Sequence, residues 1–305
     1  MTARAAVPIF VNTRARTSAE SVDKIAHAFA DGAISIVPTD PALLGREVRK
    51  AVAADVPIVG IAGGDGSMRT AAESLVDTAT ALLPVPTGTL NHFARRCGIE
   101  NIEAAAAALR DEAIRTLPVG IAGNTIFLNT LTLGEYARTV RIRERWRPFV
   151  GKWPAALLGF NATLLSMRRF GIALQTEGHS LTRRTPFVWI GIGWGSFPRV
   201  HEALERRRQP DLEIAVLRSG SRRAGFTFLL RLCWRMLRGH QPVRDEALEV
   251  LHTRALALTA RRTIDGTADG EIVRLQPPLD VAVRDATLRV VVRDAALATA
   301  TRDAG

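Results

Sequence analysis

The chain has two cysteines, Cys97 and Cys233, and they stand far apart. A disulfide framework or a zinc cluster needs more thiols, or a nearby histidine pair, so both are excluded. The histidines His179, His201, His240 and His252 show no metal-ligand spacing either. Lysine is scarce: Lys24, Lys50 and Lys152 stand alone, and every other basic residue is arginine. The uncharged stretch Trp153–Met167 is shorter than the roughly 20 apolar residues of a bilayer span, and Pro154 and Asn161 interrupt it. No internal repeat and no low-complexity linker stand out. Met1 to Asn12 holds one short apolar run and no cleavable signal. A soluble or peripheral chain in the cytosol is therefore the expectation.

What is present is ordinary in kind. The 305 residues are 47% apolar and 23% charged, which suits a globular rather than a disordered chain. That length implies two domains or one large one. The net charge is +11, and its distribution is uneven. Residues 1–118 carry 12 basic and 13 acidic groups, residues 119–250 carry 21 and 10, and residues 251–305 carry 8 and 7. The whole excess lies in the middle segment. A polyanionic partner there, nucleic acid or an anionic membrane surface, is one reading. A solvated basic face gives the same number.

The first third alternates strand and helix. Val7–Val11, Ile34–Val37, Pro57–Ala62 and Ala81–Val85 read as strands. Helices are expected from the Thr17-Ser18-Ala19-Glu20 capping box to Gly32, at Leu43–Ala54, at Met68–Val76, from Leu90, and from an Asn101 cap through Arg110. That order implies a doubly wound parallel sheet. After about residue 118 the pattern changes. A Gly123-Asn124 hairpin signal is followed by short strands at Ile172–Thr176, Phe187–Ile192, Leu212–Leu217, Glu249–Leu258, Ile272–Leu275, Leu279–Val283 and Leu288–Val292. Helical stretches interrupt them at 135–145, 153–169 and 223–238. The expected architecture is an α/β domain over 1–120 and a mainly antiparallel β-sandwich over 121–293. The chain end, about 294–305, is a candidate to return to the first domain.

Chemistry concentrates in two loops. Ile58–Ala62 runs into Gly63-Gly64-Asp65-Gly66-Ser67, and a helix follows. The glycines let the backbone approach a ligand, and the helix N-terminus aims N–H groups and a positive dipole at it. A polyphosphate fits, and Asp65 suits a phosphate that carries magnesium. A tight strand-to-helix turn in any doubly wound fold has the same letters. About twenty residues on, Leu83–Pro86 leads into Thr87-Gly88-Thr89-Leu90-Asn91-His92-Phe93-Ala94-Arg95. In a parallel sheet both loops lie at the carboxyl ends of their strands, where ligands bind.

Gly63–Ser67 followed by Thr87–Arg95 resembles the catalytic domain of the diacylglycerol kinase family of lipid kinases. Asn129, Leu133-Gly134, Tyr136, Val140, Arg143-Glu144 and Gly151-Lys152-Trp153 are spaced as in bacterial members. Ala268-Asp269-Gly270-Glu271 with Pro277-Pro278-Leu279 resembles the family's late acidic motif. The resemblance implies a phosphofructokinase-like N-terminal domain and ATP-dependent phosphorylation of a lipid hydroxyl, with ATP and Mg2+ as cofactors. It implies that Gly63, Gly64, Gly66 and Ser67 cradle phosphates, that Asp65 holds magnesium through water, and that Thr87, Gly88, Thr89 and Asn91 line the nucleotide. Asn12 and Thr39 join that nucleotide-contacting set. Asp269 would be the general base, and Glu271 would support it or the metal network. Diacylglycerol, a related lipid and a sphingoid base are the acceptor classes in view, and a degenerate, non-catalytic binder is the alternative.

The chain departs from the family at three places. His92 stands where many members have a metal-network Asp, and a neutral imidazole does not replace a carboxylate for magnesium. The early Asn-Pro motif is Asn12-Thr13-Arg14-Ala15. Asp265-Gly266 competes with Asp269-Gly270 for the base, and either pair also suits a hairpin turn.

On the lipid side, Arg222–Arg238 sets Phe226, Phe228, Leu229, Leu230, Leu232, Trp234, Met236 and Leu237 against Arg231, Arg235 and Arg238. Such a helix suits an anionic lipid interface or simply covers the sandwich. Arg206-Arg207-Arg208 and Arg222-Arg223 add charge. The expected partners are a lipid substrate and an anionic membrane surface met through the basic 119–250 segment, on the inner face of the membrane. A homodimer is a candidate state. A nucleic-acid partner is not expected, since no zinc finger, helix-turn-helix or RNA-binding aromatic signature occurs.

Overall fold

The computed structural model describes residues 6–13, 18–30, 32, 34–151, 154–155, 158–159, 161–162, 168–193, 211–218, 227 and 247–293. Several sequence expectations fall wholly or partly on other residues: Thr17 of the capping box, Lys152-Trp153, much of the 153–169 stretch, Arg206–Arg208, the Arg222–Arg238 helix apart from Thr227, Cys233 and the chain end beyond 293. The chain divides into two compact units. One holds Met1–Val119 and resumes at Asp285; the other holds Gly120–Ser196 and Gln209–Arg284.

The first unit is an α/β layer. Its strands are β1 (Val7–Asn12), β2 (Ile34–Thr39), β3 (Ile58–Gly63) and β4 (Ala81–Pro86). They pair in parallel in the order β2-β1-β3-β4. Every residue of β3 and β4 is buried, the signature of central parallel strands covered on both faces. The edge strand β2 is only partly buried. The helices are α1 (Ser18–Ala28), α2 (Leu44–Ala53), α3 (Asp65–Leu75), α4 (His92–Arg96) and α5 (Ile102–Asp111). Asn101 caps α5 as expected, its Oδ1 accepting from the Ala104 amide at 2.8 Å. The third helix begins at Asp65, three residues before the apolar pattern does. The Gly-rich loop is thus the first turn of a helix, and its composition hid that turn. Cys97 is buried here, and burial pushes its thiol up to about 12, so it behaves as a small hydrophobe.

The second unit is antiparallel. β5 (Ile114–Ala122) turns at Gly123-Asn124 into β6 (Thr125–Phe127), with Ala122 opposite Thr125. The other strands are β7 (Thr130–Gly134), β8 (Phe170–Gln175), β9 (Ser180–Thr185), β10 (Phe187–Gly193), β11 (Asp211–Leu217), β12 (Leu248–Thr253), β13 (Ala255–Thr259), β14 (Ile264–Ala268), β15 (Glu271–Leu275) and β16 (Leu279–Val291); most of β5, and β16 from Asp285 on, belong to the first unit. The helix α6 spans Glu135–Val150. One sheet runs β12-β11-β10-β7-β14-β15. Against it packs the set β13, β8 and β9 with the first part of β16. Leu131, Ile190 and Ile214 of the six-stranded sheet share one core with Ile172, Leu256 and Val281 of the other set. The expected sandwich is what forms.

Strand bounds differ from expectation for physical reasons. Glu249–Leu258 is two strands split at Arg254, and Leu279–Val292 is one long strand rather than two. β9 was not expected: its Ser-Leu-Thr-Arg-Arg-Thr sequence is that of a charged sheet edge, which keeps the edge from pairing with another chain.

One buried group makes a pH prediction. Glu213 on β11 is 4% exposed, opposite His252 on β12. Burial raises its pKa, and His252 opposes that shift. The folded state therefore binds a proton that the unfolded state has already released, and stability falls as pH rises through the folded value. Glu213→Gln is expected to stabilise the protein in urea melts at pH 7. The gain should vanish once pH drops below the unfolded carboxylate range. An equal gain at both pH values would contradict this account.

Candidate active site

The parallel sheet brings its functional ends together by register. Asn12 ends β1 opposite Thr39 at the end of β2, and Gly63 ends β3 opposite Pro86 at the end of β4. Asn12, Thr39, the Gly63–Ser67 turn and the Thr87–Asn91 loop therefore share one carboxyl edge. The strand after β1 lies on one side of it and β3 on the other, so the chain diverges between Asn12 and Gly63. Ligands of open α/β sheets bind at such a switch point.

Backbone approach ties the two loops. A methyl built on Gly88 would sit 2.5 Å from the Gly64 Cα and 2.7 Å from Asn91 Oδ1. The Thr87 amide donates to the Gly63 carbonyl at 3.3 Å. Asn91 holds the second loop in a tight left-handed turn at φ 51°, donating from Nδ2 to the Gly88 carbonyl at 2.9 Å. Its Oδ1 is buried with no hydrogen-bond partner. Thr39 is buried, and its Oγ1 donates to the Val37 carbonyl at 2.9 Å. Thr89 is exposed. The first turn of α3 contributes amides with no partner inside the helix. Small residues, amides without a partner inside the helix and a helix dipole give this edge the chemistry that suits an anion such as a polyphosphate.

Asp65 has a structural job beside the one expected. Its Oδ1 accepts from the Phe93 amide at 2.8 Å and its Oδ2 from the His92 amide at 3.1 Å. It caps α4 from 27 residues away and locks the two loops together. Magnesium takes hard oxygen donors, usually one or two carboxylates with phosphates and waters. Here a single carboxylate already holds two amides. Among the described residues no group of three His, Cys, Asp or Glu side chains could hold a metal ion. Asp65 therefore clamps the two loops, and each of its oxygens keeps a lone pair that a magnesium ion carried by phosphates could use through water.

In the second unit, Asp269-Gly270 is the two-residue turn between β14 and β15. Both residues have positive φ, 49° and 88°, as a type I′ hairpin requires. The turn also fixes the Asp269 side chain. Its Oδ2 accepts from the Leu128 amide at 2.6 Å, and its Oδ1 accepts from Asn129 at 2.7 Å and Thr130 at 3.0 Å. The Asp269 amide donates to the Thr130 carbonyl at 2.8 Å. Three amides hold the carboxylate as an oriented anion. Glu271 starts β15 and is exposed. The competitor, Asp265-Gly266, is no turn: both residues lie inside β14, and Asp265 pairs with Arg141 at 3.0 Å and Arg274 at 3.5 Å. The amides of Leu128–Thr130 went unnoticed in the sequence, because a backbone donor leaves no letter of its own. Asn129 adds a buried Oδ1 without a partner beside them.

The fold thus combines a parallel α/β unit, whose two glycine-containing loops are linked, with an antiparallel sandwich that anchors a turn carboxylate. Residues 6–122 match the family described as the diacylglycerol kinase catalytic domain, which bears out the resemblance read from the motifs. A Pseudomonas aeruginosa protein named "Probable lipid kinase YegS-like" is 40% identical over 159 residues, covering 49% of this chain and 50% of that one. One of the same name from Shewanella frigidimarina is 32% identical over 140 residues, 43% of this chain and 45% of its own. The chain thus spans about half the length of the curated relatives it matches. A Bacillus anthracis structure described as a diacylglycerol kinase superposes with a TM-score of 0.65 at 16% identity, over 97% of this chain and 99% of its own. An Archaeoglobus fulgidus NAD kinase in complex with ATP superposes at 0.51 and 11% identity, over 94% of this chain and 93% of its own. These two likenesses concern the fold. No helix among the described residues is long and apolar enough to cross a membrane.

Proposed function

We propose that this protein is a lipid kinase that moves the terminal phosphoryl group of ATP to a lipid hydroxyl. The observation that carries the reading is the glycine contact at the carboxyl edge of the parallel sheet, where a side chain on Gly88 has no room. Gly63, Gly64, Gly66, Ser67, Thr87, Gly88 and Thr89 would surround the phosphates and Asn12 and Thr39 the rest of the nucleotide. Magnesium carried by the nucleotide would add charge neutralisation. The chain's own contribution is amides and a helix dipole that orient the phosphates. Asp269 would accept the proton of the attacking hydroxyl, its orientation set by the amides of Leu128, Asn129 and Thr130. Glu271, the first residue after the turn, would add negative charge near that base.

His92, where many members of the family carry a metal-network Asp, favours one second reading: a chain that binds nucleotide or lipid without turnover. Incubation with γ-labelled ATP and magnesium against a panel of diacylglycerols, ceramides and sphingoid bases separates the two. A labelled lipid is the expected result. ATP binding with no labelled lipid overturns the kinase reading.

A further inference from the structure

Helix α6 leaves the core early. Ala137 and Val140 are its buried residues, and the seven residues from Glu144 to Val150 are all exposed. At 1.5 Å per residue, the ten positions after Val140 extend roughly 15 Å beyond the last buried contact. A solvent-exposed helix end is usually polar. This one carries Trp146 at 44% exposure, Phe149 at 79% and Val150 at 39%. With Ile142 they fall at successive steps of four, three and one, which places them on one stripe. The Trp146 and Phe149 rings meet edge to face with centroids 6.4 Å apart, so they form one ridge. Gly159 packs against α6 so closely that a methyl there would meet the Thr139 carbonyl at 2.6 Å, which brings the exposed Leu158 beside the helix.

Charge accompanies this apolar surface. The helix holds Arg138, Arg141, Arg143, Arg145 and Arg147 against Glu135 and Glu144. Arg143 and Arg147 both pair with Glu144, at 3.0 and 3.5 Å. Such exposed pairs exchange readily for a stronger anion. Arginine next to tryptophan and phenylalanine suits the headgroup level of a bilayer, where an apolar body and a polar tip are solvated by different layers.

We propose that the exposed end of α6 is a docking element for an anionic lipid bilayer, with Trp146, Phe149 and Val150 entering the interface and Arg143, Arg145 and Arg147 meeting lipid phosphates. A second copy of the chain is a poorer occupant, since an isologous contact sets these arginines against themselves. The inference borrows from the proposed function only its purpose, delivery to a bilayer-borne acceptor. Binding is measured without catalysis.

The test is co-sedimentation of the full chain, without ATP, on phosphatidylglycerol-containing vesicles and on pure phosphatidylcholine vesicles. The wild type is expected to prefer the anionic vesicles by about tenfold or more, and added salt should weaken that preference. The double variant Trp146→Ser/Phe149→Asp is expected to lose about tenfold with an unchanged melting temperature, because both side chains are exposed. Arg145→Glu is expected to lose several-fold. Wild-type binding by the double variant overturns the proposal, and so does a wild type that ignores anionic vesicles. A variant that only converts a dimer to a monomer in sedimentation velocity overturns it in favour of a second copy. Lipid phosphorylation is read separately on a detergent-dispersed acceptor. Vesicle binding by the wild type that the double variant loses, with no lipid phosphorylated by the wild type, would leave the docking element standing and remove the kinase reading.

Discussion

Gly88→Ala is expected to reduce ATP affinity by about a hundredfold. The added methyl would lie 2.5 Å from the Gly64 Cα, a backbone atom that cannot rotate away. The two loops must therefore separate by an ångström or so. A displacement of that order in a positioning element costs about two orders of magnitude. The Asn91 side chain, 2.7 Å from the same methyl, would be displaced too, and with it the turn that starts α4. Calorimetric titration with a non-hydrolysable ATP analogue measures the effect. Gly171→Ala is the control, since nothing lies within 4 Å of its added methyl. Wild-type affinity in Gly88→Ala would remove the cradle assignment.

Substitutions at Asp269 separate chemistry from architecture. Asp269→Ala strips the acceptor from three amides at once. Each charge-assisted bond contributes about 1.5–3 kcal/mol, partly regained from water at this half-exposed turn, so a net loss of about 3 kcal/mol is expected. Asp269→Asn keeps one carbonyl oxygen for those amides but cannot take a proton at neutral pH. It is expected to melt within a few degrees of the wild type and to lose about 10²–10⁴ in kcat. Single-turnover transfer from labelled ATP, read beside a thermal melt, distinguishes the outcomes. Turnover in Asp269→Asn near the wild-type rate would remove the base. A melt as low as that of the alanine variant would mean the charge itself holds the loop.

Much of the site was legible because its letters are unusual. Runs of glycine after a buried strand have few explanations, and Gly63-Gly64-Asp65-Gly66 was found on that ground. Asn12 and Thr39 came from the resemblance to the family, and it is the strand register that sets them side by side at that edge. Asp269-Gly270 was legible as a turn for the same reason that it is one: Asp and Gly tolerate positive φ. Other features were not legible. The polar strand Ser180–Thr185 lacks the apolar alternation that marks a strand, because a sheet edge wants charge. The exposed ridge on α6 reads as ordinary core-forming letters until burial is known. The sequence drew attention instead to Arg222–Arg238, most of which lies outside the described residues.

By itself the sequence determined the two-part architecture, the parallel character of the first unit's sheet and the place of the glycine loops. Hydrophobic period and turn chemistry are local, so they survive reading in one dimension. Its scarce thiols excluded disulfide and zinc scaffolds before any coordinates. Only the tertiary structure showed which donors the carboxylates meet. A lone Asp in a glycine loop reads as a metal ligand, and the letters give no sign that amides 27 and 28 residues away also donate to Asp65. The amides that hold Asp269 come from about 140 residues earlier in the chain. A carboxylate's role is set by whichever donors reach it, and those donors are backbone groups that every residue except proline carries alike.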